Sequence, residues 1–182
     1  MGYSGICVQM DGTPSDRLPL LLAAYQHRFK RNLESMTQHL VDSVTIGWDE
    51  LGTDLLDGAP PWLVTALTGG AHWLSRPLVD VITPDGSPPR RMTVTDATVR
   101  EYDVEWGYIL HPHGIEVIGL EHQDIGPVVD WDTDPRTLFS NTPALWSTTV
   151  PVVTPVRSAA PRSVPSARPA PASPRAVARR QP

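Results

Sequence analysis

Near the start of the chain, a β-prone run of residues gives way to a helical repeat of apolar side chains. Gly5 to Met10 is β-prone and ends at a cluster of turn formers, Asp11 to Pro14, which predicts a strand leading directly into a loop. Leucine and aromatic side chains then recur at helical spacing from Leu18 to Phe29. Ser15 or Asp16 is expected to cap this helix, because short polar side chains accept hydrogen bonds from free backbone N–H groups.

Two further helices are predicted before residue 70. An asparagine suited to capping, Asn32, precedes a short apolar stripe, which indicates a second helix ending near Ser43. Residues 44–59 mix apolar and acidic side chains too briefly for more than a helical turn or an irregular segment. Trp62 to Leu67 lies between two prolines and two glycines, which are typical of the first and last positions of a helix.

The second half of the body is predicted to be mainly β-structure. Tyr102 to Leu110 and Ile115 to Glu121 are rich in β-branched and aromatic residues, and the four residues between them include a glycine, which predicts a hairpin with one buried face. Leu78 to Ile82 and Met92 to Val94 are further candidate strands. We therefore expect one small α+β (or mixed α/β) domain, with an antiparallel sheet that includes a 102–121 hairpin and with helices on one side.

The end of the chain has a different composition. Residues 151–182 contain eight prolines and six arginines but no acidic, aromatic or glycine residue. Such a segment has too little apolar surface to offset the entropy of ordering, so the sequence predicts a disordered, basic tail after a globular domain at 1–150. The chain has 15 basic and 20 acidic residues. Without the six tail arginines, residues 1–150 carry 9 − 20, a net charge of −11.

Several functional classes are disfavoured by the sequence. No apolar run approaches the length that spans a bilayer, and the opening residues are polar, so a cytoplasmic protein is expected. Cys7 is the only cysteine, which rules out an intrachain disulfide and a cysteine-based zinc site. Phosphate-loop, dinucleotide-binding and serine-elbow motifs are absent from the sequence. We expect no cofactor.

Histidines and carboxylates suggest metal sites whose spacing is unfavourable. His111, His113, His122 and Asp124 include suitable zinc ligands, but a hairpin would place His122 roughly 20–25 Å from the turn, at about 3.3 Å per residue. The other candidate is an aspartate loop at 130–134 that resembles the start of a calcium loop but lacks its glycine and its final glutamate. We expect exposed turn histidines, a solvated acidic loop anchored by the intervening tryptophan, and no metal.

Two other groups of side chains leave catalytic and structural interpretations open. Cys7 would be a nucleophile if a histidine approached it, but a cysteine in an apolar strand is usually buried and inert. Four carboxylates lie close together in the mixed segment before residue 60, at Asp49, Glu50, Asp54 and Asp57. Two such carboxylates together are suited to general acid–base catalysis. The mixture of the four with apolar residues instead favours an amphipathic surface segment.

Candidate binding residues come from the first loop and from the tryptophans. Asp11 and Gly12 fit an ordinary turn, but they also follow a strand and precede a helix, which is where open α/β sheets bind ligands. The body has six tryptophans, and tryptophan is enriched at binding hot spots. Trp48 and Trp106 are the candidates for binding, while a role of the tryptophans in the core and in loops is the alternative.

The opening residues carry a family resemblance. The strand that runs into Asp11-Gly12-Thr13-Pro14 and an apolar helix resembles an uncharacterised family of small proteins from actinobacteria and their phages, in which this opening has Asp-Gly-Tyr-Pro. The resemblance extends more weakly through the hairpin near Trp106 to about Leu120. Thr13 replaces the usual tyrosine, which removes any aromatic contact made there. The resemblance implies an origin but no activity and no catalytic residue.

Three functional hypotheses remain. The first is a non-enzymatic accessory protein of a phage, mobile element or actinobacterium that binds a host protein through its acidic surface, and whose tail contacts polyanions weakly. The second is an enzyme with an unfamiliar carboxylate or histidine site. The third is a module that binds a small ligand or a metal.

Overall fold

The computed structural model describes residues 3–9, 12–44, 47–78, 92–94, 104–119 and 127–142. In these ranges it contains helices and short strands, which confirms the α+β class and the antiparallel hairpin. Asp11, the predicted strand beyond Leu78, and the tail at 151–182 lie outside the described residues, as do His122 and Asp124. The predicted disorder of the tail therefore stays a prediction.

The opening of the chain forms two short strands where one was expected. β1 (Tyr3–Gly5) pairs antiparallel with β5 (Met92–Val94), the strand predicted there, and β2 (Cys7–Val8) pairs parallel with β3 (Gly47–Glu50). The expectation of a single strand was wrong because the chain changes partners at Ile6, and each partner comes from a distant part of the sequence.

The first helix begins two residues earlier than a cap at Ser15 allows, and three residues earlier than a cap at Asp16 allows. α1 (Pro14–Ala23) has Thr13 at its N-cap and continues into a π-helical segment, Ala24–Arg28. Ser15 and Asp16 lie inside its first turn, because Pro14 suits the first helical position, where its missing N–H is not needed. The Thr13 hydroxyl donates to the Asp16 carboxylate over 2.7 Å, which places a negative charge near the positive end of the helix dipole.

The second and third helices agree with the sequence. α2 (Leu33–Thr37) continues into the π-helical segment Gln38–Asp42, and the Asn32 side chain accepts a hydrogen bond from the Ser35 backbone over 2.9 Å. α3 (Pro61–Thr68) ends at Gly69, whose φ of 60° lies in the left-handed region that glycine adopts without a steric penalty.

The segment between these helices is more ordered than its sequence suggested. It contains β3, which also pairs antiparallel with β4 (Arg76–Pro77), and a 3₁₀ turn, Thr53–Leu56. β3 lies between two strands, and its tertiary pairing explains how a four-residue segment with two acids forms a strand.

The hairpin belongs to a three-stranded antiparallel sheet. β6 (Trp106–His111), β7 (Gly114–Gly119) and β8 (Val128–Asp130) follow one another in order. The expected four-residue connection was wrong, because His111 and Gly114 are paired partners and only two residues form the turn. Gly114 allows β8 to approach closely, since a β-carbon there would lie 2.4 Å from the Val129 carbonyl oxygen.

One apolar cluster joins the helices to this sheet. Leu18, Leu22 and Met36 are fully buried, as are Ile115 and Val117 on one face of β7. Each such side chain contributes about 1.5–3 kcal/mol by leaving water. Within the described ranges, no helix combines the length and apolar character needed to cross a membrane.

Candidate functional site

An apolar cavity of about 370 Å³ lies between the hairpin, the parallel strand pair and the helices. Its walls come from β2, β3, α1, the π-helical segment 38–42 and β6, together with the loop that contains Gly12. Most of its lining is aliphatic or aromatic. The lining residues include Cys7, Arg17, Trp48, Trp106 and Tyr108. Three of the four predicted binding residues, Gly12, Trp48 and Trp106, therefore border the same space.

Trp48 forms a fixed part of the cavity wall. The side chain is 7% exposed, and its Nε1 donates to the Leu40 carbonyl oxygen over 2.8 Å. The hydrogen bond satisfies the indole N–H, which would otherwise be costly to bury. Trp48 is thus buried, and it does not lie on the acidic outer surface through which the first hypothesis has the protein bind a host protein.

Trp106 covers another part of the wall and is half-buried. It is paired with Gly119 across the hairpin, and a β-carbon on that glycine would lie 3.4 Å from the indole ring. The missing side chain at Gly119 gives the ring room to lie along the strand. The ring is therefore positioned by the strand register, which a single sequence does not reveal.

Tyr108 ties the first loop to the hairpin. Its hydroxyl donates to the Gly12 carbonyl oxygen over 2.6 Å. Burial raises the pKa of the phenol strongly, the charge of Arg17 opposes this rise, and the charge of Asp16 adds to it. Because the hydroxyl stays protonated at neutral pH, it remains a donor to this loop.

Arg17 brings a positive charge to an apolar setting. It lies on the buried side of α1, is only 5% exposed, and lines the cavity. Its positive charge favours the ionised form of Tyr108 and so acts to lower the pKa of that phenol, against the larger effect of burial. The guanidinium carries five N–H donors in a rigid plane, which suits it to carboxylate and phosphate groups.

Cys7 lines the same cavity without the properties of a nucleophile. The side chain is half-buried, and burial raises the pKa of its thiol. A raised pKa lowers the thiolate fraction at neutral pH, and the thiolate is the reactive form. The structure thus favours the inert interpretation of this cysteine.

The hairpin histidines form a different arrangement from a metal site. His111 Nε2 lies 2.7 Å from Glu116 Oε2, and the His111 and His113 rings stack with centroids 5.3 Å apart. Among the residues that the structure describes, no group of three or more His, Cys, Asp or Glu side chains could hold a metal ion. The other two members of the predicted set fall outside those residues.

The aspartates at 130–134 engage groups within the protein. Asp130 accepts a hydrogen bond from the Asp132 backbone over 2.7 Å, Asp132 forms an ion pair with Arg31, and Asp134 pairs with Arg136. The predicted tryptophan anchor is confirmed, since Trp131 is 4% exposed and stacks on Tyr25 with ring centroids 4.2 Å apart. Its Nε1 donates to the His111 carbonyl oxygen over 2.8 Å.

The four carboxylates at 49–57 also form ion pairs. Asp49 and Glu50 both contact Arg76, at 3.2 Å and 2.9 Å, while Arg28 lies within 4 Å of Asp54 and Asp57. Burial tends to raise the pKa of Asp54, but hydrogen bonds from Ser75 and Arg28 outweigh it and the net pKa is lowered. A carboxyl group with a lowered pKa is ionised at neutral pH and is unsuited to act as a general acid.

Sequence reasoning missed Arg17 and Glu116 as buried charged residues. A signal was available for the arginine, because residues 17, 21 and 24 share one helix face and the other two are apolar. No comparable signal marks Glu116. The alternation of side chains along β7 places it on the outer face, but it is buried, with only 7% of its surface exposed. Its carboxylate contacts His111 on the neighbouring strand.

Comparisons of this chain with protein families, with curated proteins and with solved structures find no match. The resemblance to small actinobacterial and phage proteins therefore stays a prediction.

Proposed function

We propose that this chain is a small-ligand-binding module and that its site is the cavity bordered by Gly12, Trp48 and Trp106. The observation that carries the proposal is the convergence of these residues, which are far apart in the sequence, on one space. Asp11, the fourth candidate, precedes Gly12 directly in the chain.

The size and chemistry of the cavity support this function. Small-molecule sites typically have volumes of about 300–1,000 Å³, mostly apolar walls and a few polar groups that orient the ligand. This cavity has about 370 Å³ and combines two tryptophans with Arg17 and Tyr108. Its aromatic walls offer a large contact area to an apolar ligand.

Binding is favoured over catalysis by the protonation of the groups along the walls. Burial raises the pKa of both the Cys7 thiol and the Tyr108 phenol, so both are protonated at neutral pH. Neither group then serves as an anionic nucleophile or general base without a large energetic cost. A site of this kind holds a ligand and orients it.

A cavity-filling variant tests the proposal. Gly12 lines the cavity, its φ lies outside the left-handed region, and a β-carbon there would have no neighbour within 4 Å. Gly12→Leu is therefore expected to fold and to narrow the space. The matched control is Ala71→Leu, which adds the same side chain at an exposed position after α3 that does not border the cavity.

Binding of the neutral apolar dye Nile red provides the readout, followed by its own fluorescence and by native mass spectrometry. The wild-type chain and Ala71→Leu should bind one dye molecule saturably, and Gly12→Leu should bind at least tenfold more weakly. Circular dichroism of all three proteins checks that they are folded. Equal affinity in all three, or no saturable binding to the wild type, would overturn the proposed site.

Binding of a host protein through an acidic surface stays the second candidate. Its basis is the net charge of −11 over residues 1–150 and one tryptophan on the surface, Trp62, which is 57% exposed. The Arg136 guanidinium lies 5.2 Å from the centre of its ring. Affinity capture from an actinobacterial lysate tests this hypothesis: a partner retained by the wild type and lost with Trp62→Ala supports it, and equal retention argues against this surface.

A further inference from the structure

We infer that a second cavity of this protein is an intramolecular docking site, and that its occupant is the segment 143–146 of the same chain, with Leu145 and Trp146 as the anchoring side chains. This segment, Pro-Ala-Leu-Trp, follows directly on Thr142, the last residue that the structure describes. The inference goes beyond the proposed ligand site and does not depend on it.

The second cavity has a volume of about 600 Å³ and lies between α1, α3 and the segment 135–139. Each of these three parts contributes apolar side chains to its walls, among them Leu20, Leu67 and Leu138, and Trp73 adds an aromatic ring. Leu138 is 93% exposed, so the described residues give its side chain almost no cover. Apolar surface that is gathered around a cavity is typical of a contact site, whereas single scattered leucines are not.

The described part of the chain ends beside this cavity. Residues 135–139 form one of its walls, and the Asn141 side-chain oxygen then accepts a hydrogen bond from the Ser15 backbone N–H over 3.0 Å. Ser15 belongs to the cavity wall and lies in the first turn of α1, so this hydrogen bond fixes the point at which the chain leaves the wall. The residues after Thr142 therefore start at the rim of the cavity.

The segment is long enough to reach the cavity from this point. Trp146 is five residues after Asn141, and an extended chain spans at most about 3.3–3.6 Å per residue, or roughly 17 Å. The part of α1 that borders the cavity, from Ser15 to Leu20, extends over roughly 8 Å at about 1.5 Å per residue. A segment tethered this closely has an effective concentration on the order of millimolar, so even a weak contact is mostly formed.

The segment matches the cavity in size and polarity. At roughly 30 Å³ for each water-sized group, about 600 Å³ holds about twenty non-hydrogen atoms, close to the number in a leucine and a tryptophan together. All four residues of the segment are apolar and none is charged. Leucine and tryptophan side chains gain most when they leave water, and the apolar walls offer them that environment.

The basic tail at 151–182 is a poorer occupant of this cavity. Two arginines, Arg17 and Arg136, already border it, and the tail would add further positive charge and no aromatic side chain. The acidic residues of the walls, Asp16 and Glu50, already have hydrogen-bonding or ionic partners within the protein. A neutral segment fills the space without burying a charge that lacks a partner.

The solvent accessibility of Trp146 in the full-length chain tests the inference. The protein is labelled with 5-fluorotryptophan, single Trp→Phe variants assign the fluorine NMR signals, and a soluble gadolinium chelate relaxes the signals of exposed rings. In the wild type, the Trp146 signal should be relaxed at least fivefold more slowly than that of Trp62, which is 57% exposed. Its rate should lie within twofold of the rate for Trp48, which is 7% exposed.

A charge on the cavity wall should release the segment. Leu138→Glu places a carboxylate at an exposed position of the wall and should raise the relaxation rate of Trp146 at least threefold. Leu74→Glu is the matched control, because Leu74 is 61% exposed and does not border the cavity, and it should leave this rate unchanged. Ala66→Glu places the same charge on the α3 wall and serves as the test if Leu138→Glu does not fold.

Each alternative gives a different result. If Trp146 is as accessible as Trp62 in the wild type, the inference is overturned, whatever else occupies the cavity. Protection that disappears on dilution, together with a dimer in analytical ultracentrifugation, shows docking on a second copy and overturns the intramolecular contact. Protection that persists in folded Leu138→Glu and Ala66→Glu shows that Trp146 is buried elsewhere and also overturns the inference. Binding of Nile red is a separate measurement, so failure of this docking site is distinguishable from failure of the proposed ligand site.

Discussion

His111 Nε2 lies 2.7 Å from Glu116 Oε2, so a histidine next to the hairpin turn provides the partner of a buried carboxylate on the neighbouring strand. Both residues belong to the same antiparallel pair, in which Glu116 is opposite Ile109, two residues before His111. Side chains two positions apart on a strand share a face, so this contact is diagonal. The histidine has a structural role that spacing alone did not suggest.

Removal of this histidine should destabilise the fold. His111→Ala leaves the buried Glu116 carboxylate without its imidazole partner, and we expect a loss of about 1–3 kcal/mol in the free energy of unfolding. Urea denaturation followed by tryptophan fluorescence measures the change. The neighbouring exposed histidine gives the control, since His113→Ala should cost less than about 0.5 kcal/mol. Equal effects of the two substitutions would contradict this role of His111.

Acid should weaken the fold through Asp54. Burial tends to raise the pKa of this carboxyl. The hydrogen bonds from the Ser75 hydroxyl, the Ser75 backbone N–H and Arg28 lower the pKa by more than burial raises it, so the native pKa lies below the unfolded value. A group with a lowered native pKa contributes stability above its unfolded pKa of about 3.9 and loses it as the pH falls through the native pKa. The free energy of unfolding should therefore fall below about pH 4, and Asp54→Asn should make this fall shallower.

Asp134 provides the comparison for this pH experiment. Hydrogen bonds from Arg136 lower its pKa to about 2. The pair is exposed, however, and its members are two residues apart, so solvent screening reduces its contribution to folding. Asp134→Asn should change the pH dependence of unfolding less than Asp54→Asn does. A larger effect from Asp134 would show that the buried network around Asp54 is not the main acid-sensitive element.

Cys7 should react slowly in the folded protein. It is half-buried, and burial raises its pKa, which lowers both its access to reagents and its thiolate fraction. As the only cysteine, it accounts for all alkylation by iodoacetamide. At pH 8, we expect Cys7 to be labelled at least tenfold more slowly in the native protein than in the urea-unfolded protein, as followed by mass spectrometry. Any ligand that fills the cavity should slow the labelling further. Labelling at the unfolded rate would contradict the position of Cys7 in the cavity wall.

Gly52 should be intolerant of a side chain. Its backbone N–H donates to the Ser75 hydroxyl over 2.8 Å, and a β-carbon at this position would lie 2.3 Å from backbone atoms of Leu74 and Ser75. Gly52→Ala therefore forces two backbone segments apart and should cost about 1–3 kcal/mol in thermal or urea unfolding. Gly12→Ala is the control, because its β-carbon has no neighbour within 4 Å. Similar stability of the two variants would refute the close packing at Gly52.

Local signals in the sequence were sufficient for several elements. The Asn32 cap and the end of α3 at Gly69 depend on side-chain and backbone preferences that act within a few residues. The hairpin follows from β-branched and aromatic residues on both sides of a glycine-containing turn, which the chain shows directly.

Long-range contacts determined the remaining features. The split of the first strand and the formation of β3 require partners 26 to 91 residues away, so local propensity does not reveal them. The buried Glu116 likewise depends on a partner from another strand, since its carboxylate contacts His111.

By itself, the sequence determined the acidic body, the basic composition of residues 151–182, the three helices and the hairpin, because charge, spacing and capping are properties of neighbouring residues. It also singled out Gly12, Trp48 and Trp106, but as separate residues. Only the tertiary structure decided that they border one cavity and that the buried Arg17 borders it as well. The reason is that cavities form where elements distant in sequence pack together, and a single sequence carries no record of which elements meet.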